Sequence, residues 1–242
     1  MSLIPAPDGP DPVTVAQTPA LPAAPAAEVE RYPIATAASS SPTDLPINID
    51  DSDTVYGEGL LQLVGADALA YFHSDRMIRR FVATIDNLPR QEAPAGKMPV
   101  KPVGGPFLVA RNSAGMTIDP ANARRYVHYL DIMAAVDVRR LVDLYIGFYP
   151  VFQQAYRELG YPHGYFNDRL VDTLDDLLAT PDVAPPIAVT QPKVLYEFAD
   201  PALEKRSAGQ KIMLRMGADN MARAKRLLSA IRSELLSRSP GK

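Results

Sequence analysis

Across residues 138–159 the apolar side chains Leu141, Leu144, Tyr145, Phe148, Phe152, Tyr156 and Leu159 recur every three or four positions, the stripe of one helix face. Asp137 stands where an N-cap carboxylate accepts a free N–H of the first turn, and Gly160 where a C′ glycine ends the helix. Pro150, with Gly147 shortly before it, removes the bond to the carbonyl four residues back, so the pattern predicts a kink or a break there. A helix bent around a core accounts for that kink; a pocket wall is the functional alternative. Tyr161-Pro162-His163-Gly164 then turns the chain. A second helix follows, with Leu170, Val171, Leu174, Leu177 and Leu178 on one stripe and Asp168, Asp172, Asp175 and Asp176 opposite, a solvated acidic face rather than a metal site. Its predicted N-cap is Asn167, with Asp168 beside the positive helix end and Phe166 and Val171 as a hydrophobic staple.

The same signals place further helices around this pair. One is capped by Asp51 or Ser52 and ends at Gly65; a short one covers 66–72; one capped by Ser74 or Asp75 carries Met77, Ile78, Phe81, Val82 and Ile85. Asp119-Pro120 opens another, and Asp200-Pro201 opens one that runs to Gly217. The last, capped by Asp219 or Asn220, has Ala224, Leu227, Leu228, Ile231 and Leu235 on its apolar face and Arg223, Lys225, Arg226 and Arg232 on a solvated one. Residues 89–119, with Pro94, Pro99, Pro102 and Pro106, are irregular except for a small hairpin of 107–110 with 116–118. A loop this long inside a domain is functional or a covering flap. The expected fold is mainly α: about seven helices over residues 46–238, with long proline-rich loops and one small β-hairpin.

Residues 1–45 differ in kind. They are low in complexity, rich in Pro, Ala, Ser and Thr, and read as a disordered tether in which Tyr32-Pro33-Ile34 is the one cluster able to dock. The start of the chain lacks a basic n-region and a continuous apolar h-region, so it does not read as a signal peptide. No apolar run approaches the roughly 18 residues that span a bilayer. The net charge of −3 provides no attraction to nucleic acid. The absence of cysteine removes disulfides, thiolate catalysis and cysteine-held metals.

Chemical motifs are sparse. His73, His128 and His163 are isolated, Asp50-Asp51-Ser52-Asp53 lacks the glycine and glutamate of a calcium loop, and no phosphate-binding loop or nucleophile elbow occurs. No cofactor or metal is expected. The candidate site residues are Arg79, Arg80, Tyr149, Tyr161, Asn167, Asp168, Arg169 and Glu197. Arg79 and Arg80 read as partners of Asp86 or Asp168, or as anion binders; Asn167-Asp168-Arg169 reads as a helix start, or as an acid with an anion-binding arginine. Glu158, Asp168 and Glu197 lie in aromatic sequence surroundings that raise a carboxyl pKa on burial, so one of them could serve a hydrolase as its acid.

Five strings, FVATIDNLPR (81–90), PVKPVGGPF (99–107), YPVFQQAYRELGYPHGYFNDRLVDTLDDLL (149–178), QPKVLYEFADPALE (191–204) and RSAGQKIMLRMG (206–217), resemble the DUF3014 family, a bacterial domain of unknown function. The resemblance extends over roughly residues 45–235 and carries no activity with it. It implies an N-terminal membrane helix, a Pro/Ala-rich tether and then this domain; here the tether, with its Glu30-Arg31-Tyr32-Pro33-Ile34 string, is present without the helix. The expectation is therefore a periplasmic module associated with the inner membrane, binding or scaffolding an envelope protein or a cell-wall component. A hydrolase acting on an envelope polymer is the alternative.

Overall fold

Helix breaks and long-range caps decide the architecture. The computed structural model describes residues 29–34, 48–113 and 115–239. The helices are α1 (Ser52–Val64), α2 (Ala66–Leu69), α3 (Met77–Asn87), α4 (Arg124–Ala134), α5 (Val138–Gly147), α6 (Tyr149–Glu158), α7 (Phe166–Leu178), α8 (Pro201–Glu204), α9 (Ala208–Arg215) and α10 (Ala218–Ser237). The strands are β1 (Val109–Asn112), β2 (Gly115–Ile118), β3 (Ala188–Thr190) and β4 (Glu197–Phe198). The fold is mainly α, as expected. Most of the expected disordered tether, 1–28 and 35–45, lies outside the described residues.

Two expectations are corrected. The described residues form ten α-helices rather than about seven. The helix foreseen over 138–159 breaks at Phe148 (φ −101°, ψ 5°), which lets Pro150 sit in the first turn of α6 where its missing N–H breaks no bond. The helix foreseen from Asp200 to Gly217 breaks after Lys205, and α9 restarts at Ser207, whose hydroxyl accepts from Gln210 N at 3.1 Å. The second correction is the sheet. It is not one hairpin but four antiparallel strands in the order β1-β2-β3-β4, with Met116 opposite Val189 and Val189 opposite Phe198. The stretch 182–199, read as merely extended, supplies the second half.

Local caps formed where predicted. Asp137 accepts from Arg139 N at 2.9 Å, Asp119 from Ala121 N at 2.8 Å and Asp200 from Ala202 N at 2.8 Å. Gly160 (φ 119°) and Gly217 (φ 87°) follow helix ends in a region closed to most side chains. Three starts differ. Asp51 precedes α1 but makes no capping bond, and the Ser52 hydroxyl donates to Ile49 O at 2.7 Å. At α3 neither Ser74 nor Asp75 caps; Asp53 of α1 accepts from Arg76 N and, at 2.7 Å, from Met77 N. At α10 the preceding residue is Gly217, and Asn220, instead of capping, donates to Ala123 O and Met216 O and so ties α10 to the start of α4. Three of the four basic side chains expected on the solvated face of α10 are paired, and Arg226 is exposed: Arg223 meets Asp131, Lys225 meets Asp182, and Arg232 meets Asp175.

The core lies where α3 crosses α6 and α7 and α10 runs along α5 and α7. Phe152 and Phe166 are fully buried and stack at 5.7 Å with rings 4° apart, while Tyr56, Phe81 and Tyr145 press edges and tilted faces against Phe152. At the far end α9 approaches α7 through Gly209. A Cβ there would stand 2.5 Å from Leu177 Cδ2 and 3.3 Å from the Leu88 carbonyl. Gly209→Val should therefore destabilise the protein by about 1–3 kcal/mol through overpacking. An unchanged denaturant midpoint would refute that close approach.

Candidate functional site

The first turn of α7 is built by α6. Tyr165 precedes the helix with extended backbone and offers no side-chain cap. The acceptor is Gln153, buried on α6: its Oε1 accepts from Phe166 N at 2.9 Å and from the Tyr149 hydroxyl at 3.1 Å, and its Nε2 donates to Gly164 O at 2.7 Å. This corrects the expected N-cap. The helix starts one residue before Asn167, so Asn167 and Asp168 fall inside its first turn with their side chains released from capping.

Those side chains hold the chain's own segment 29–34. Asp168 accepts from Arg31 N at 2.9 Å with one oxygen and from Tyr32 N at 2.8 Å with the other. Asn167 donates to Tyr32 O at 2.7 Å, and its own carbonyl oxygen accepts from the Tyr145 hydroxyl at 3.2 Å. The Arg31 guanidinium reaches Asp172 at 2.6 Å, one turn further along α7, and Ile34 packs against the main core. Two successive N–H groups and one carbonyl are thus satisfied by side chains, as a neighbouring strand would satisfy them. The carboxylate bonds are charge-assisted and lie at the positive end of α7. Asn167 is 1% and Asp168 8% exposed, so both gripping side chains are withdrawn from water. The acidic stripe of α7 is paired as well as partly solvated: besides Asp168 and Asp172, Asp175 takes Arg232 and Asp176 takes Ser207 and Gln210.

Burial, and then the nearby Asp168 charge, push the Glu30 carboxyl above its ordinary 4.5. Burial, and then the Glu30 charge, push Tyr149 up to about 12, so it remains a neutral hydrogen-bond donor to Gln153. The docked segment holds the Glu30 proton more tightly than the released one does. The Glu30 contribution to docking is therefore present below about pH 4.5 and is lost as pH rises above it. Amide exchange of Arg31 and Tyr32, corrected for intrinsic rates, should quicken as pH rises above about 4.5 in the wild type and show a flatter profile in Glu30→Gln. Equal slopes in the two proteins would remove Glu30 from this role.

The remaining candidates are dispersed. Arg169 leaves the clamp and pairs with Asp86 of α3 at 3.3 Å, donating also to the Asp86 carbonyl; Arg90 reaches the same carboxylate at 2.8 Å. The expected Arg79 and Arg80 partners are corrected: Arg79 binds Asp50 and Glu158, and Arg80 binds Asp75 and Gly96 O. Tyr161 stacks on Tyr156 at 4.5 Å and its hydroxyl accepts from Arg90. Glu158 is at the exposed end of α6, and Glu197 is in β4 opposite Thr190. The three acids considered for hydrolysis therefore sit on three different elements, and the residues around Asp168 come from segment 29–34, α6, α7 and the turn before it. Among the described residues no three His, Asp or Glu come together as a cation site. Sequence reasoning missed Arg31 and Gln153 as site residues and gave Asp86 the wrong arginines; the Asp86 pairing with Arg90 had a local signal, the i,i+4 spacing.

Two spaces accompany the clamp. Beside it runs a groove of about 460 Å³ between Val29 and Arg31 on one side and Tyr156, Tyr165 and Asp172 on the other. In the heart of the helical core is an apolar cavity of about 330 Å³. Its wall includes Tyr56, Phe81, Val142, Tyr145 and Leu170, and it is completed by Pro99 and Val100 of the long loop.

The model of one protein family, described as "Protein of unknown function (DUF3014)", matches residues 77–232, from the start of α3 into α10. The match contains α7 and much of the cavity wall but not the clamped segment. No curated protein and no solved structure matches the chain.

Proposed function

The chain belongs to the DUF3014 family, and from that premise we propose that it is a non-catalytic binding and scaffolding module of the bacterial cell envelope, periplasmic and held near the inner membrane. The observation that carries this reading is the grip of Asn167 and Asp168 on an extended backbone. A side-chain pair that satisfies N–H and C=O groups of a passing chain, with one arginine read by Asp172, is equipment for recognising polypeptide. Asp168 favours binding over hydrolysis for a further reason: both its oxygens already accept N–H groups, which leaves it poorly placed to deliver a proton to a substrate. The partner, an envelope protein or a cell-wall component, would lie in the groove beside the clamp, against Tyr156 and Tyr165.

The test is photo-crosslinking in cells with a crosslinking residue in place of Tyr165. The expected result is one predominant adduct with an envelope component, absent when the same residue replaces Arg226 on α10. Identical adduct patterns at the two positions, or recovery of the protein from the cytoplasm alone, would reject the proposal. Release of soluble fragments from purified wall material, lost in Asp168→Asn, would replace it with a hydrolase.

A further inference from the structure

The apolar cavity is the second place where the fold offers room for a ligand. Its lining is made of Leu, Val, Ile, Met, Phe, Pro, Tyr and Thr side chains. Three of the four hydroxyls among them are engaged elsewhere, Tyr56 being the fourth: the Thr173 hydroxyl donates to Ile85 O at 2.9 Å, Thr84 to Lys97 O at 3.4 Å and Tyr145 to Asn167. Water needs two to four polar partners to occupy a site and finds few here. At about 30 Å³ per water-sized group, 330 Å³ accommodates roughly eleven such groups, the volume of a medium-length aliphatic chain.

One wall is thin. Pro99 and Val100 line the cavity while remaining half-exposed, and they are held by one isolated antiparallel bridge of Val100 to Phe72, made of two hydrogen bonds: His73 N donating to Pro99 O at 2.8 Å and Lys101 N donating to Tyr71 O at 2.8 Å. The strap is bracketed by two exposed cations, Lys97 and Lys101, the second with its ammonium on Ala70 O. Aliphatic volume inside and positive charge at both ends of the cover are complementary to a single-chain amphiphile with an anionic head.

We propose that the cavity binds one acyl chain of about ten to twelve carbons, roughly one methylene per water-sized unit of volume, entering past the 99–101 strap with its carboxylate or phosphate head between Lys97 and Lys101. This site is separate from the groove beside the clamp, and it stands or falls independently of the envelope partner.

The test uses the full chain, stripped of co-purified lipid, in calorimetric titrations with octanoate, decanoate, dodecanoate, tetradecanoate, dodecanol and a lysophosphatidic acid of twelve carbons. Binding should be saturable at one per chain, and affinity should climb to dodecanoate and level off at tetradecanoate. Val142→Phe, which fills the cavity from a residue that is 1% exposed, should weaken dodecanoate at least tenfold without lowering the unfolding temperature. Lys97→Glu with Lys101→Glu should weaken dodecanoate and leave dodecanol unchanged. Tighter binding of the lysophospholipid than of dodecanoate would identify a phosphate head, and the reverse a carboxylate; either supports the site. Absence of saturable binding, or affinity that keeps rising with chain length in the wild type as in surface adsorption, would overturn the proposal, as would unaltered dodecanoate binding by a folded Val142→Phe protein.

Discussion

Asp86→Ala should lower the free energy of unfolding by about 3–5 kcal/mol, the largest effect expected of any single polar substitution in this protein. Asp86 is 5% exposed and answers two arginines, Arg90 through a 2.8 Å contact and Arg169 at 3.3 Å. The Arg90 side chain is half-exposed, so its loss of a partner is screened by water and contributes little. Arg169 is different: its side chain is 24% exposed and it would keep its charge against α3 with only the residue-86 carbonyl left to meet it. Most of the loss is that stranded cation, not the vanished attraction. Arg169→Met added to Asp86→Ala should therefore recover a substantial part of the stability. Urea denaturation of the three proteins tests this; a fall below about 1 kcal/mol in Asp86→Ala would mean that the pair is solvated.

The second large effect is local. Asp168→Asn replaces one carboxylate oxygen by an amide NH₂ that faces a backbone N–H, so a donor meets a donor. Hydrogen bonds to charged groups contribute about 1.5–3 kcal/mol each, and both acceptors of the clamp weaken together. Segment 29–34 should come away, with exchange at the Arg31 and Tyr32 amides accelerating more than tenfold. Helices α3, α6 and α10 should keep their protection, since their contacts do not pass through the segment. Uniform loss of protection across the helices would show that the segment is an integral part of the folded unit. Retained protection at Arg31 and Tyr32 would show that Asn167, Asp172 and the packing of Ile34 hold it without the carboxylate.

The contrast between what was legible and what was not follows sequence distance. Asp137, Asp119 and Asp200 cap helices from within two residues, so their signals are complete in the local sequence. Asn167 looked like a cap because nothing nearby announces that Gln153, thirteen residues earlier, accepts from the helix start. Asp53 serves α3 from twenty-four residues before Met77. The β2–β3 pairing joins Met116 to Val189 across an intervening set of four helices, and three-residue strands carry too little alternation to declare themselves. The candidate site was half visible: Asn167-Asp168-Arg169 stood out as an unusual polar start to an apolar stripe, and Tyr32-Pro33-Ile34 as the part of the tail able to dock. That the two are partners, 136 residues apart at Tyr32 and Asp168, needed coordinates.

The clamp also sets where tension enters the molecule. A pull on the chain ahead of Val29 is borne first at the start of α7, and reaches α1 only after Arg31 and Tyr32 let go. Between Tyr32, the last residue that the clamp grips, and Asn48 lie sixteen residue steps, a contour of at most about 54 Å at roughly 3.4 Å per residue. That contour is the upper bound on how far the gripped residues can move from α1 once the clamp opens. The domain would then have two working radii about whatever secures the preceding chain, selected by whether one carboxylate retains its grip on two amides.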